Sequence, residues 1–418
     1  MHVIYYLQRH IKEAVLKILM VHKFLYETAG AEAYMLRLGE YFQSIGHEVQ
    51  YFGMEDKRNI VGNNWNILTK NINFHKRSLG TLLYPFKIIY SVEARRKMRQ
   101  LLHLFKPDIV HLNNINFQLT PSIIYEVKKQ KIPLFLTAHD YQWVCPNHML
   151  YDITKSAVCE KCLVSGFTNC IKNNCVHGSK LRSILGCIES ALYHGLKTYS
   201  LVDKIICSSK FLENKFLTKE FFRGKTTVLY NFTKKIERIK DVQKKDYVLY
   251  FGRYSREKGL STLLEVCKRF PGIQFVFAGG GPVESWINDA QNSASNIKNI
   301  GFQRGNDLIK LISEARFTVY PSEWYDNCPF SVIESQMYGT PVIGAEIGGI
   351  PEILYNGKTG LLFQAANADD MAEKIATLWN DRSLLDKMTK NCLETEFETS
   401  ATHGEKVLKL YNQFVNWQ

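Results

Sequence analysis

The sequence predicts an α/β protein made of two doubly wound parallel-sheet domains, and three observations carry that reading. Short apolar runs alternate with amphipathic helical stretches along nearly the whole chain. Polar and glycine-rich clusters fall at the ends of those runs, where open parallel sheets place their ligands. At 418 residues the chain also exceeds what a single core organises, so two domains are expected.

Residues 1–16, MHVIYYLQRHIKEAVL, precede the first strand and read as an N-terminal extension. Charges at Arg9, Lys12, Glu13 and Lys17 interrupt the opening, which lacks the order of a signal peptide. No long uncharged apolar run offers a spanning helix, so a cytosolic location is expected. KILMVHKF (17–24) is the first strand, followed by a turn at Ala29-Gly30 and a helix over about 31–45 that Gly46 stops. HEVQYFG, PDIVHLNN (107–114), IPLFLTAHD (132–140) and DKIICSS (203–209) are the further strands of a first domain over 17–232. TKKIERIKDVQKKD (233–246) is polar, without periodicity, and reads as a linker or a loose entry to the second domain. That domain, 233–400, holds strands at YVLYFGR (247–253), IQFVFAGGG (273–281), IKNIGF (297–302), RFTVYPS (316–322), TPVIGA (340–345) and TGLLF (359–363). Residues 401–418 return to an amphipathic pattern with Val407, Leu410, Tyr411, Phe414 and Trp417, a closing helix expected to pack back on the first domain.

The charge is uneven. Residues 1–232 hold 31 Lys+Arg against 17 Asp+Glu, and residues 233–418 hold 22 against 23. The first half is therefore the side that meets something anionic. YPFKIIYSVEARRKMRQLLHLFK, with Lys87, Arg95, Arg96, Lys97 and Arg99, fits an anionic membrane surface, and equally a solvated helix face. Nucleic acid is not expected as a partner, because no recognition motif accompanies the charge.

The site signals sit at strand ends. GRYSREKGL delivers Arg253 and Lys258 beyond a strand, the cation pair that suits a diphosphate, although a plain surface loop has the same composition. AGGGP (278–282) follows the next strand, where glycines such as Gly280 and Gly281 permit close backbone approach or merely a tight turn. In PSEWYDNCPFSVIESQMYGTPVIG, Asp326 and Glu334 stand eight positions apart around a helix start. Ser331-x-x-Glu334 is the spacing of a capping box, the structural explanation of Glu334. The functional one has Glu334 accept from ribose hydroxyls while amides of Phe330, Ser331 and Val332 hold the diphosphate. Capping does not explain Asp326; a carboxylate aimed at sugar hydroxyls does.

GRYSREKG, AGGGP, the 321–344 segment and GGIPE, in that order, resemble the nucleotide-sugar domain of retaining glycosyltransferases of family 4. The resemblance implies a GT-B fold, two Rossmann-like domains facing a cleft. It implies that Arg253 and Lys258, beside Gly252, bind the diphosphate, that Asp326 and neighbouring Asn327 face the sugar, and that Glu334 takes the ribose. Asp stands at 326 where the family has Glu, shorter by about 1.5 Å. Gly30 and Glu32 in ETAGAEAYM resemble the family's glycine-rich loop, with Ala29 or Ala31 in place of a second glycine. His139, followed by Asp140, resembles the family's histidine near the donor sugar, there to hydrogen-bond a hydroxyl or shuttle a proton. A helix N-cap at Asp140 beside a bystander histidine is the alternative. The implied partners are a nucleotide-diphosphate sugar and a glycan or lipid-linked acceptor, as in polysaccharide, lipopolysaccharide or capsule synthesis. The implied mechanism is retention without a protein nucleophile and without a catalytic cofactor. A GT-B-fold nucleotide-sugar epimerase and a non-catalytic glycan-binding subunit are the alternatives.

Five of the ten cysteines fall within 145–175. In a cytosolic chain that clustering points to metal rather than disulfides. Cys159-x2-Cys162 with Cys170 and Cys175 offers four thiolates for a structural zinc, with Cys145 and His177 as substitutes. An iron–sulfur cluster and reduced core cysteines are the other readings. The insertion, 145–177, is expected to be rigid and to shape substrate choice.

Overall fold

The computed structural model describes residues 15–71, 84–233 and 242–415. Most of the expected N-terminal extension, the linker over 234–241 and Trp417 lie outside the described residues. The strands are β1 (Lys17–Val21), β2 (Glu48–Phe52), β3 (Ile109–Leu112), β4 (Leu134–Ala138), β5 (Tyr151–Asp152), β6 (Ala157–Val158), β7 (Lys204–Cys207) and β8 (Thr226–Val228). They continue with β9 (Tyr247–Arg253), β10 (Gln274–Gly280), β11 (Ile297–Asn299), β12 (Phe317–Tyr320), β13 (Val342–Ala345) and β14 (Gly360–Phe363).

One six-stranded sheet runs β2-β1-β3-β4-β7-β8 and a second runs β11-β10-β9-β12-β13-β14. β1 pairs in parallel with β2 and β3, and β3 with β4. All neighbouring pairs of the second sheet are parallel. Both faces of that sheet are covered. Val248 and Tyr250 join one buried cluster with Phe275, Phe277 and Phe317, while Tyr247, Leu249 and Phe251 join another with Val276 and Ala278. Alternate side chains point to opposite faces, so a strand covered on both sides must be apolar throughout. That is why the predicted strands are found where the apolar runs lie.

The described residues divide into two compact units. One takes in the chain up to Thr137, Gly195–Ile205, and the chain from Ala401 onward; the other holds Ala138–His194 and Ile206–Ser400. The division passes through β4 and β7, so His139, Asp140 and the cysteine-rich segment fall in the same unit as the second sheet. Within the first unit the helix Ser400–Tyr411 lies against the sheet. Its Tyr411 Oη is 2.5 Å from His111 Nδ1 on β3, and its His403 Nε2 is 2.8 Å from Tyr34 Oη.

The basic helix Val92–Phe105 spends much of its charge inside this unit. Arg95 and Arg99 both pair with Glu126, Arg99 at 2.7 Å, and Lys97 lies 3.4 Å from Glu93 and 3.7 Å from Glu55. Only Lys87 and Arg96 of the five cations are exposed without a carboxylate partner among the described residues. Among those residues, no helix is long and apolar enough to cross a membrane.

The Glu126 side chain is 1 % exposed, and the hydrogen bond from Arg99, reinforced by Arg95, holds its carboxyl down at about 2 against an ordinary 4.5. A depressed acid contributes stability above its unfolded value and loses it as pH falls through the folded value. Glu126→Gln should therefore cost about 1–3 kcal/mol at pH 7. The gap to wild type should narrow as pH drops from 4.5 toward 2. Urea unfolding of both proteins across that range checks it.

Candidate functional site

The second sheet brings the basic loop and the acidic loop together. β9 ends in Gly252 and Arg253, both exposed, and the short 3-10 turn Arg256–Lys258 follows. Gly259 closes the turn at φ +69, and a Cβ there would sit 1.8 Å from the Pro321 carbonyl oxygen. Only glycine supplies both that backbone and that approach. The contact draws Lys258 against the loop that leaves β12.

There Lys258 Nζ forms an ion pair with Asp326 Oδ2 and lies 2.8 Å from Tyr320 Oη. Tyr320 Oη itself donates to Asp326 Oδ2 at 2.5 Å. The ammonium also sits 5.2 Å and 5.4 Å over the rings of Tyr320 and Trp324, within cation–π range. Burial and then Asp326 push the Tyr320 phenol well above its ordinary range, so it remains a hydrogen donor, and Ser331 joins it by a side-chain hydrogen bond. Two of the three ammonium donors are thus spent on Asp326 and Tyr320, and one is left. Arg253 makes no side-chain hydrogen bond or ion pair among the described residues.

This geometry revises the reading of the acids. Asp326 has a structural partner after all: its Oδ2 is engaged by both Lys258 and Tyr320. The capping box at Ser331-x-x-Glu334 is not formed. The helix Phe330–Met337 has Pro329 at its N-cap with no side-chain cap, which places Ser331 inside the helix. The capping explanation of Glu334 therefore falls. Val332 is also corrected, because its amide donates to the Pro329 carbonyl at 3.2 Å and its side chain is buried in the core. Phe330 opens this uncapped helix end, where the backbone dipole favours negative charge.

Asn327 donates from Nδ2 to the His139 carbonyl at 2.9 Å, and its buried Oδ1 has no hydrogen-bond partner among the described residues. Trp324 Nε1 is likewise buried and unpartnered there. An acceptor and a donor left unsatisfied in one loop are unusual in a core and ordinary in a ligand site. Burial lowers His139 from 6.5 to about 3, so its imidazole is neutral near pH 7. It can hydrogen-bond a hydroxyl, but it is too weak a base to shuttle a proton. Asp140 accepts from Gln142 N at 2.8 Å, fastening a turn rather than capping a helix.

The glycine run has a packing reason. Gly281 has φ +153, and its Cβ would meet Tyr254 backbone oxygen at 2.3 Å. Gly280 pairs with Arg253 across the parallel strands and has room for a side chain. In the first unit Gly30 begins the helix Gly30–Ser44. Glu32 Oε2 accepts from Ala29 N at 3.0 Å and its other oxygen lies 3.5 Å from His22 Nε2, so it caps its own helix while buried.

Residues 28–234 match the family described as Glycosyltransferase Family 4, and residues 231–394 match Glycosyl transferases group 1. The chain is built of family 4 and group 1 glycosyltransferase domains. It is 27 % identical over 218 residues to the uncharacterized glycosyltransferase MJ1178 of Methanocaldococcus jannaschii, covering 52 % of this chain and 60 % of that one. It is 31 % identical over 141 residues to the sulfoquinovosyl transferase SQD2 of Arabidopsis thaliana, covering 33 % of this chain and 27 % of that one. The chain thus spans three fifths or less of the length of these curated relatives. The structure of Anabaena Alr3699/HepE in complex with UDP superposes with a TM-score of 0.68 at 15 % identity, over 95 % of this chain and 100 % of that one. The fold is GT-B, as the motifs implied.

In the glycosyltransferase unit that carries the second sheet, the cysteine-rich segment departs from expectation. Among the described residues no three His, Cys, Asp or Glu side chains are placed to hold a metal ion, so the zinc expectation has no support here. Cys162, Cys170 and Cys175 are buried in contact with Phe167 and Val176, and Cys170 and Cys175 share a hydrogen bond. Cys159 is only half-buried and meets Asn173 Nδ2 at 4.0 Å. The segment is held as a thiol-rich apolar cluster.

Sequence reasoning missed Tyr320 and Trp324, which wall Lys258: an aromatic that ends a buried strand reads as core, and one in the following loop carries no local signal. It also missed Glu352 of GGIPE, whose carboxylate accepts from the amides of Lys210 (2.7 Å) and Phe211 (2.6 Å) and from Tyr230 Oη (3.1 Å).

Two substitutions separate packing glycines from open ones. Gly259→Ala should destabilise by about 2 kcal/mol or more, since it adds a clash to a left-handed backbone. Gly280→Ala should stay within about 1 kcal/mol, because its Cβ meets nothing nearer than 3.6 Å. Thermal unfolding of both variants tests the contrast.

Proposed function

We propose that this protein is a retaining glycosyltransferase that moves a sugar from a nucleotide-diphosphate donor onto a glycan or lipid-linked acceptor. The observation that carries the reading is Lys258, fixed by Asp326 and Tyr320 with one donor to spare, ahead of the uncapped helix Phe330–Met337. An anion at that point gains the ammonium, the exposed Arg253 and the positive end of the helix together. Glu334, one turn into that helix, takes the ribose hydroxyls. Asn327 Oδ1 and Trp324 Nε1 are the unsatisfied pair that meets sugar hydroxyls.

Catalysis then lies in stabilising the departing diphosphate with fixed cations and helix amides, which requires no cofactor. Asp326 holds the ammonium in place rather than attacking the sugar. A leaving phosphate oxygen accepts the acceptor's proton on the same face, which retains the anomeric configuration. Neutral His139 hydrogen-bonds the sugar and stays neutral as pH falls to about 3, so it contributes no limb to the pH–rate profile above that value.

Purified protein given UDP-, GDP- and ADP-sugars with lipid-linked acceptors should release nucleotide from one of them; release from none overturns the reading. Lys258→Ala should lower turnover by about a hundredfold or more, as expected for loss of a leaving-group donor. Glu334→Gln should weaken donor binding by about tenfold. Steady-state kinetics and calorimetric nucleotide binding measure both.

A further inference from the structure

Tyr325, Asp326 and Asn327 belong to a loop without regular structure between β12 and the helix Phe330–Met337. Neither flanking element dictates where Asp326 stands. The contacts that do come from elsewhere in the same unit. Tyr141, fully buried, donates its hydroxyl to the Tyr325 carbonyl at 3.0 Å. Gly349 N donates to the Asp326 carbonyl at 2.7 Å, and Asn327 reaches the His139 carbonyl. Three consecutive residues are thus anchored from three directions.

The Tyr325 side chain is gripped as well. Its ring packs on Phe211 at 4.8 Å between centroids, and Lys215 Nζ lies 5.2 Å over it and 4.7 Å over Phe211. Lys215 is itself held by Glu160 Oε1 at 2.7 Å. The Tyr325 phenol also hydrogen-bonds Glu160. Glu160 sits between Cys159 and the short helix Lys161–Ser165, whose Cys162 is locked in the buried cysteine cluster. Through Glu160 the cysteine-rich segment is therefore tied to the loop that carries Asp326.

We infer that the cysteine-rich segment is a clamp for the donor site, with Glu160, Lys215 and Tyr141 as positioning residues that act on Lys258 through Tyr325 and Asp326. The inference rests on the donor-site reading above. Asp326 is the group that fixes the Lys258 ammonium, so a shift of the loop moves the cation that faces the leaving group. Misplacement of about 1 Å in such a site costs up to a hundredfold in rate, far more than it costs in folding. The segment then tunes turnover without touching substrate.

The test uses the full chain with Tyr141→Phe, Glu160→Gln and Glu160→Asp. The Glu160 side chain is 37 % exposed, so its substitution leaves the core intact. Hydrogen exchange needs no ligand. Tyr141→Phe and Glu160→Gln should speed exchange across 322–328 by about tenfold and leave 247–253 unchanged. Nucleotide release from the fastest sugar of the panel should lose about tenfold in kcat with KM within about threefold, and Glu160→Asp should recover part of the loss. Unchanged exchange in Glu160→Gln overturns the clamp, whatever Tyr141→Phe does, and so does faster exchange with wild-type kcat. If wild type releases no nucleotide, the donor-site reading fails while the exchange data still decide the clamp.

Discussion

One ion pair organises the glycosyltransferase unit described here: Lys258 to Asp326, closed by the Tyr320 hydroxyl. Both charged side chains are mostly covered, 16 % and 14 % exposed, so neither partner is well solvated and each depends on the other. The pair sets what the site can do. A bare lysine on a surface loop would wander and be screened; a lysine fixed at two of its three donors presents the third in a constant direction. An aspartate fits this role, because its short side chain keeps the carboxylate close to its own backbone and meets the cation there.

The parallel sheet makes the pair possible. β9 and β12 are neighbours, so the turn after one and the loop after the other emerge side by side. Gly259 lets the first chain touch the second at Pro321, and Glu323 N closes the contact by donating to the Glu257 carbonyl at 2.9 Å. Apolar runs dictate the strands, the strands dictate the order, and the order brings residues 68 positions apart within bonding distance. Lys258, the uncapped helix end and the orphaned polar atoms of Trp324 and Asn327 then lie around one loop. That is chemistry on a scaffold whose stability resides elsewhere, in the two apolar clusters that sandwich the sheet.

The buried strands were legible because each must be apolar on both faces, and residues 247–253 match β9 from end to end. β8, with three half-buried residues, and the two-residue strands β5 and β6 were not, since short strands leave no periodicity to read. At the site, residue types were legible and partners were not. Arg253 and Lys258 stand out by composition, but nothing local tells that Asp326 will spend its charge on Lys258. Ser331 and Glu334 have the right spacing for a capping box, yet Pro329 starts the helix two residues early and the box never forms. The cysteines show the same limit: spacing says which thiols are near in sequence, while the fold buries Cys162, Cys170 and Cys175 together and leaves Cys159 at the edge.

The most direct measurement is a crystal structure of the protein grown with UDP. The account expects the diphosphate within hydrogen-bond reach of Lys258 Nζ and the amides at the start of the helix Phe330–Met337, with Arg253 folded over it. A diphosphate bound elsewhere on the chain, out of reach of Lys258 Nζ and with that helix end occupied by protein side chains, would contradict it.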